Sequence, residues 1–222
     1  MTRPKKRIGV VGNIGAGKTL VSRLISSFFD FDLKEEVVNK EILDLYYSNM
    51  KKYAFPTQMF FLSTRYQNML KMEANPRSAV IDRIMDEDVW IFSKQLMIQE
   101  DMSKKDYEII KSIYYNMTAS LTELDLTIYL RTDPEVSKDR IRRRYELDPN
   151  RLNETSLIDP NNPYLEQLHQ RYEERFKEEK YKNLMIIDTN NLMLADENNE
   201  TPFYHGDIIP TLEEIKDRLY TN

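Results

Sequence analysis

The 222-residue chain contains no cysteine. It can therefore form no disulfide and offer no thiolate to a metal, a composition that suits a reducing compartment, so a cytoplasmic location is the expectation. It also lacks any apolar run approaching the ~18 residues that cross a bilayer, and its first residues carry charge where a signal peptide is apolar. A soluble chain working away from membranes is expected. Positive charge is not in excess, since Lys and Arg number 32 against 37 Asp and Glu for a net of −5. That balance provides no broad basic field for nucleic acid, and the short run Arg3 to Arg7 reads as a solvated terminus. Glycine is scarce too, five in all, and four of them fall between residues 9 and 17. Hydrophobic residues make up 41% of the chain, enough for one sizeable core, and 1–222 reads as a single domain.

The clustered glycines lie in "RIGVVGNIGAGKTLVSRLISSFF", residues 7–29. Ile8, Val10 and Val11 form a short apolar run suited to a strand, and a helix-like run follows Thr19. Between them stand Gly12, four residues, then Gly17, Lys18 and Thr19, the complete phosphate-loop spacing. The loop of Gly12, Asn13, Ile14, Gly15, Ala16 and Gly17 can curl successive backbone amides around an anion, and the helix beginning near Gly17 aims its positive end at the same point. Lys18 adds a point charge for the β- and γ-phosphates of a nucleotide. The Thr19 hydroxyl is a hard oxygen suited to Mg²⁺.

Short apolar runs at 7–11, 79–82, 124–130 and 184–188 alternate with longer amphipathic stretches, and a further strand is expected near Phe31 to Lys34. The alternation predicts an α/β fold, a doubly wound parallel sheet flanked by helices, with the phosphate loop after its first strand. Helices are expected over 41–53 and 57–72, and Asp133-Pro134 reads as the start of another. In such a sheet the ligand lies beyond the carboxyl ends of the strands. Glu35 and Glu36 follow the second strand, and Asp82 and Arg83 end the third. A carboxylate there can accept a proton from an attacking hydroxyl while an arginine orients it and neutralises the moving phosphoryl group, and Glu35 with Arg83 is the expected pair. On the helix at 57–72, Gln58 and Arg65 are seven apart and share a face, and Asp88 and Phe92 are four apart further on. Two readings stay open and are compatible: an Arg65–Asp88 ion pair tying two helices together, or a pocket that reads a nucleobase edge with an amide and a charged pair and stacks it on a phenyl ring.

These segments together resemble the deoxynucleoside kinase family in its non-thymidine-kinase-1-like branch, with most similarity to the bacterial deoxyadenosine and deoxyguanosine kinases. "GNIGAGK", "KEEVVNKEILDLYY", "FPTQMFFLSTR" and "IDRIMDEDVWIF" carry the resemblance, which runs from about residue 6 to about 180. It implies transfer of the γ-phosphoryl group of ATP, with Mg²⁺, to the 5′-hydroxyl of a deoxynucleoside: deoxyadenosine or deoxyguanosine first, deoxycytidine second. Glu35 is implied as the general base, with Glu36 at the family's proline position. Arg83 is implied to contact that base and the reacting oxygens, Asp82 to help hold Mg²⁺, and Tyr47 to bond the sugar 3′-hydroxyl. Gln58, Arg65, Asp88 and Phe92 are implied to read and stack the base. Arg140 and Arg144 match lid positions over the donor, within a lid spanning 140–162. Beyond Arg144 the pattern departs from the family, and Arg151 and Glu154 are placed on a lid arginine and on the glutamate that reaches the 3′-hydroxyl. The resemblance also implies a homodimer packed through helices such as 41–53 and 108–120. Two rivals share the loop: a thymidylate kinase-like nucleoside monophosphate kinase, and a nucleotide-binding module without chemistry.

Overall fold

The computed structural model describes residues 4–36, 39–148, 152–177, 181, 183–191 and 208–221. Within them β1 (Arg7–Gly12), β2 (Asp32–Lys34), β3 (Ala79–Asp82), β4 (Leu126–Arg131) and β5 (Leu184–Asp188) form one sheet in the order β2-β3-β1-β4-β5. Every pairing is parallel, so each connection must cross over through a helix. β1 lies centrally and is covered on both faces, which is why Ile8, Val10 and Val11 read as an apolar run without alternation. Helices α1 (Lys18–Phe29) and α9 (Ile208–Tyr220) cover one face. There Val21, Ile25, Leu212, Ile215 and Leu219 pack on Ile8, Val10, Ile128 and Leu130. The other face buries Val11, Ile81 and Tyr129 beneath α3 (Met50–Ala74) and α8 (Tyr164–Arg175), through Leu62, Met72, Tyr172 and Phe176.

The helix expected over 41–53 is two helices, α2 (Lys40–Ser48) and α3. Asn49 divides them: its backbone leaves the helical region at φ −161°, ψ 86°, and its side chain accepts from the Lys52 amide at 3.0 Å, starting a new helix. Such side-chain to backbone bonding offers an asparagine an alternative to helix propagation. Tyr53 therefore belongs to α3, which runs through Pro56 and beyond the 57–72 expected. After β3 the chain forms α4 (Met85–Glu87), a π-helical segment Asp88–Ser93 and α5 (Lys94–Ile98), then α6 (Lys104–Thr118). After β4 comes α7 (Pro134–Leu147), with Asp133 at its N-cap as expected, and a 3₁₀ segment Leu152–Ile158 leads to α8. The π segment widens the helix where Asp88 and Phe92 project, a distortion common at functional sites.

Strand register sets the site. Val10 lies opposite Asp82 and Lys34 opposite Ile81, so the segments leaving β1, β2 and β3 emerge side by side at the carboxyl edge. The switch point of a doubly wound sheet lies at this edge.

Candidate active site

The loop from Gly12 to Gly17 joins β1 to α1, with Gly17 as N-cap at φ 91° and Gly15 at φ 81°. A Cβ on Gly15 would stand 2.7 Å from the Ser137 carbonyl oxygen of α7, so the loop needs glycine there both for its left-handed backbone and for the close approach of α7. Gly15→Ala is accordingly expected to cost about 1–2 kcal/mol for the backbone alone and more for the contact. Thermal unfolding measures it, and an unchanged midpoint would contradict the packing described. Asn13 ties the loop to α8 by donating to the Leu165 carbonyl at 2.9 Å, and it accepts from the Ile14 amide at 2.8 Å. Lys18 is buried and donates to the Asn13 carbonyl at 2.9 Å. Burial, then the nearby Arg83 charge, brings its ammonium down to about 8. An anionic phosphate is the natural counter-charge for a desolvated lysine in an amide-lined loop.

The Thr19 hydroxyl donates to Asp82 Oδ2 at 2.6 Å, while the buried Asp82 Oδ1 has no hydrogen-bond partner. A hydroxyl and a carboxylate with an uncommitted oxygen, both hard donors beside a phosphate loop, fit Mg²⁺, which takes few protein ligands and completes its shell with phosphate and water. Among the described residues no cluster of three or more acidic, histidine or cysteine side chains forms an all-protein cage.

The geometry corrects the pairing expected for Glu35. Glu35 is exposed and ion-paired with Arg23 at 2.8 Å, turned toward α1 and solvent. Glu36 is the carboxylate beside Arg83, with its Oε1 3.0 Å from Nε, and it accepts from Arg65 Nη2 at 2.5 Å. The reason is local: adjacent residues leaving a strand point to opposite sides, so a one-residue change of register exchanges solvent for site. Burial would raise the Glu36 pKa, but the charges of Arg83, Arg65 and Lys18 outweigh it and hold the carboxyl at about 2. Arg83 has φ 72°, a left-handed backbone unusual for a residue with a side chain, and its amide extends the ladder to the Val10 carbonyl at 2.9 Å. Its guanidinium lies 4.8 Å from the Phe92 ring centre.

Arg65 reaches from α3 to both Glu36 and Asp88, so the pair read in the sequence is joined to the strand-end carboxylate in one network. Asp88 is buried, and burial pushes its pKa up against the pull of Arg65. Gln58 lies on the same face of α3, and both Gln58 Oε1 and Asp88 Oδ2 are buried acceptors without partners. The Phe61 ring lies 5.2 Å from the Arg65 guanidinium. Burial and then the charge of Glu154 raise the Tyr47 phenol to about 12. Glu154 also accepts from Arg144 Nη2 at 3.0 Å. Arg140 donates to the Thr189 carbonyl and lies 3.5 Å from the Ala16 carbonyl of the phosphate loop. Arg151 lies outside the described residues.

Sequence reasoning passed over Glu87. Its carboxylate is wholly buried and accepts from Gly12 N, Arg83 Nη1, Ile84 N and the Tyr172 hydroxyl. A faint signal existed in its i+4 spacing from Arg83.

A parallel sheet whose first strand runs into an amide-lined loop with a buried lysine, facing a carboxylate–arginine pair at the neighbouring strand ends, defines a P-loop kinase. The deoxynucleoside kinase family model matches residues 8–205, and the chain belongs to that family. It is 30% identical over 168 residues to a deoxyadenosine kinase of Dictyostelium discoideum, covering 75% of this chain and 65% of that one, just under two thirds. It is 29% identical over 172 residues to a deoxyguanosine kinase of Bacillus subtilis, covering 77% and 78%. The structure of a deoxyadenosine kinase from M. mycoides with dATP superposes with a TM-score of 0.72 at 26% identity, covering 96% of this chain and 98% of that one. Family membership decides against the monophosphate-kinase reading. No described helix is long and apolar enough to cross a membrane.

Proposed function

We propose that this deoxynucleoside kinase transfers the γ-phosphoryl group of ATP to the 5′-hydroxyl of a deoxypurine nucleoside, deoxyadenosine or deoxyguanosine, with deoxycytidine as a further acceptor. The observation that carries the reading is the Arg65–Asp88 pair beside Gln58, joined through Glu36 to Arg83 at the mouth of the phosphate loop. Two partnerless buried acceptors, Gln58 Oε1 and Asp88 Oδ2, suit an exocyclic amino group, which adenine, guanine and cytosine carry and thymine lacks. Relatives support the same range: the Bacillus subtilis protein named deoxyadenosine/deoxycytidine kinase is 30% identical over 172 residues, and the M. mycoides deoxyadenosine kinase was solved with dCMP.

In this reading the loop amides and Lys18 hold the donor phosphates, and Thr19 and Asp82 hold Mg²⁺, which when bound neutralises charge on the phosphate oxygens. Glu36, in place of Glu35, orients the 5′-hydroxyl and accepts its proton, and Arg83 faces the moving phosphoryl group. Tyr47 and Glu154 take the sugar 3′-hydroxyl, Phe92 stacks on the base, and Arg140 and Arg144 close the lid within 140–162 over the donor. The protein's work is alignment and charge neutralisation, with no covalent intermediate. The chain acts as one domain, as a cytoplasmic homodimer, on a small molecule rather than on nucleic acid. Steady-state assays of the four deoxynucleosides with ATP and Mg²⁺ test the reading: kcat/KM is expected to be highest for a deoxypurine nucleoside and lowest for thymidine. ATP binding without ADP production on any of the four, or a preference for thymidine, would overturn it.

A further inference from the structure

The phosphoryl-transfer scheme leaves Glu87 without a task, yet it is the most heavily bonded carboxylate at the site. It is 0% exposed. Its Oε1 accepts from the Gly12 amide at 3.2 Å, Arg83 Nη1 at 3.1 Å and the Tyr172 hydroxyl at 2.6 Å, and its Oε2 accepts from the Ile84 amide at 3.0 Å. Tyr172 is itself held by ring stacking between Tyr129 and Phe176, with centroids 5.7 and 5.9 Å away.

Three features make this more than a buried ion pair. The residue it holds, Arg83, has a left-handed backbone at φ 72°, and a non-glycine residue persists there only where its surroundings over-determine it. The Ile84 amide bond closes the turn just after that residue. The Arg83 guanidinium also stands between two carboxylates, Glu36 at Nε and Glu87 at Nη1, with the Phe92 ring beside it. One carboxylate alone would draw the fork onto itself, whereas two opposed ones fix its plane. Finally, the same oxygen that receives Arg83 receives the Gly12 amide, so the phosphate loop and the arginine share one anchor.

We propose that Glu87, steadied by the Tyr172 hydroxyl, is a positioning residue that holds Arg83 in its left-handed turn and sets its guanidinium relative to Glu36 and the phosphate loop. The proposal rests on the reading of Arg83 as the group facing the phosphoryl transfer. It separates the roles of two carboxylates that flank one arginine: Glu36 faces the acceptor, and Glu87 faces only the protein.

The test is a double-mutant cycle read by kcat, KM and thermal unfolding. Glu87→Gln keeps the shape but must set its NH₂ either against the Ile84 amide or against the three donors on the other side. It is expected to lower kcat by about 10–30-fold while KM for ATP and for the deoxynucleoside changes by less than about threefold. Tyr172→Phe keeps the ring stack and removes the hydroxyl that donates to Glu87 and accepts from Arg83 Nη1 at 3.2 Å, so a loss of about 3–10-fold is expected, and it carries the test if Glu87→Gln does not fold. Arg83→Lys keeps a positive charge for Glu87 and removes the fork. In that background either second change should add less than about twofold. A Glu87→Gln kcat within about twofold of native, or an equal loss with and without the Arg83 fork, would overturn the positioning role. Near-native kcat for Arg83→Lys alone would instead remove the reading of Arg83 beneath it, and the proposal with it.

Discussion

Glu36→Gln is expected to lower kcat by about 10²–10⁴-fold, the contribution of a positioned general base, while Glu35→Gln changes it by less than about twofold. The two residues are neighbours, but Glu35 makes an exposed ion pair with Arg23, of the kind worth about 0–1 kcal/mol, and Glu36 touches both arginines of the site. A carboxylate held at about 2 is a weak base. In a loose phosphoryl-transfer transition state the attacking hydroxyl sheds its proton late, so a permanently ionised and well-placed acceptor is what the step needs. The pH dependence follows with its sign. The Glu36 pKa is depressed from 4.5 to about 2 on folding, so its stabilising contribution is present above about pH 4.5 and is lost as pH falls toward 2. Turnover should therefore show no acid limb from Glu36 above about pH 5. Comparable kcat values for the two glutamine variants would return Glu35 to consideration and remove Glu36 as base.

The second large effect is expected at Arg65 and Asp88. Arg65→Met leaves Asp88 as a buried carboxylate without its counter-charge, and breaking such a pair from one side costs about 3–5 kcal/mol. Asp88, already pushed up by burial, relieves part of that cost by taking a proton. An acid whose folded pKa is raised loses stability as pH rises from its unfolded value through its folded one, so the variant should melt at a higher temperature at pH 5 than at pH 8. Equal melting at both would contradict an unpaired Asp88. Arg65→Met with Asp88→Leu replaces the pair by apolar volume and should recover most of the stability. The recovery should not extend to function: kcat/KM for deoxyadenosine is expected to fall about 10²-fold in the single and the double variant alike, from the loss of charged hydrogen bonds to the base. A double variant that regains activity along with stability would show that the pair only ties helices together.

Much of the architecture is legible in the sequence because it follows from short-range pattern. The spacing from Gly12 to Thr19 names a phosphate loop wherever a strand precedes and a helix follows it. Four apolar runs and the segment near Phe31 to Lys34 name five strands, and helical spacing places Gln58 and Arg65 on one face of α3. Even so, the pattern of 41–53 hid a break, because the apolar period continues across Asn49 while the side-chain cap at Lys52 interrupts the backbone.

What the chain's residues determine alone is therefore the class of chemistry: a phosphate-binding loop, with carboxylates and an arginine at strand ends beside it. The tertiary structure alone decided which of two adjacent glutamates enters the site, since residue type cannot distinguish Glu35 from Glu36 and only the path leaving β2 does. It also decided that Glu87 and Tyr172, 85 residues apart, share a hydrogen bond behind Arg83. Local periodicity reports on neighbours within a turn or a strand, whereas a buried carboxylate collects its donors from wherever packing brings them, and no spacing rule records that.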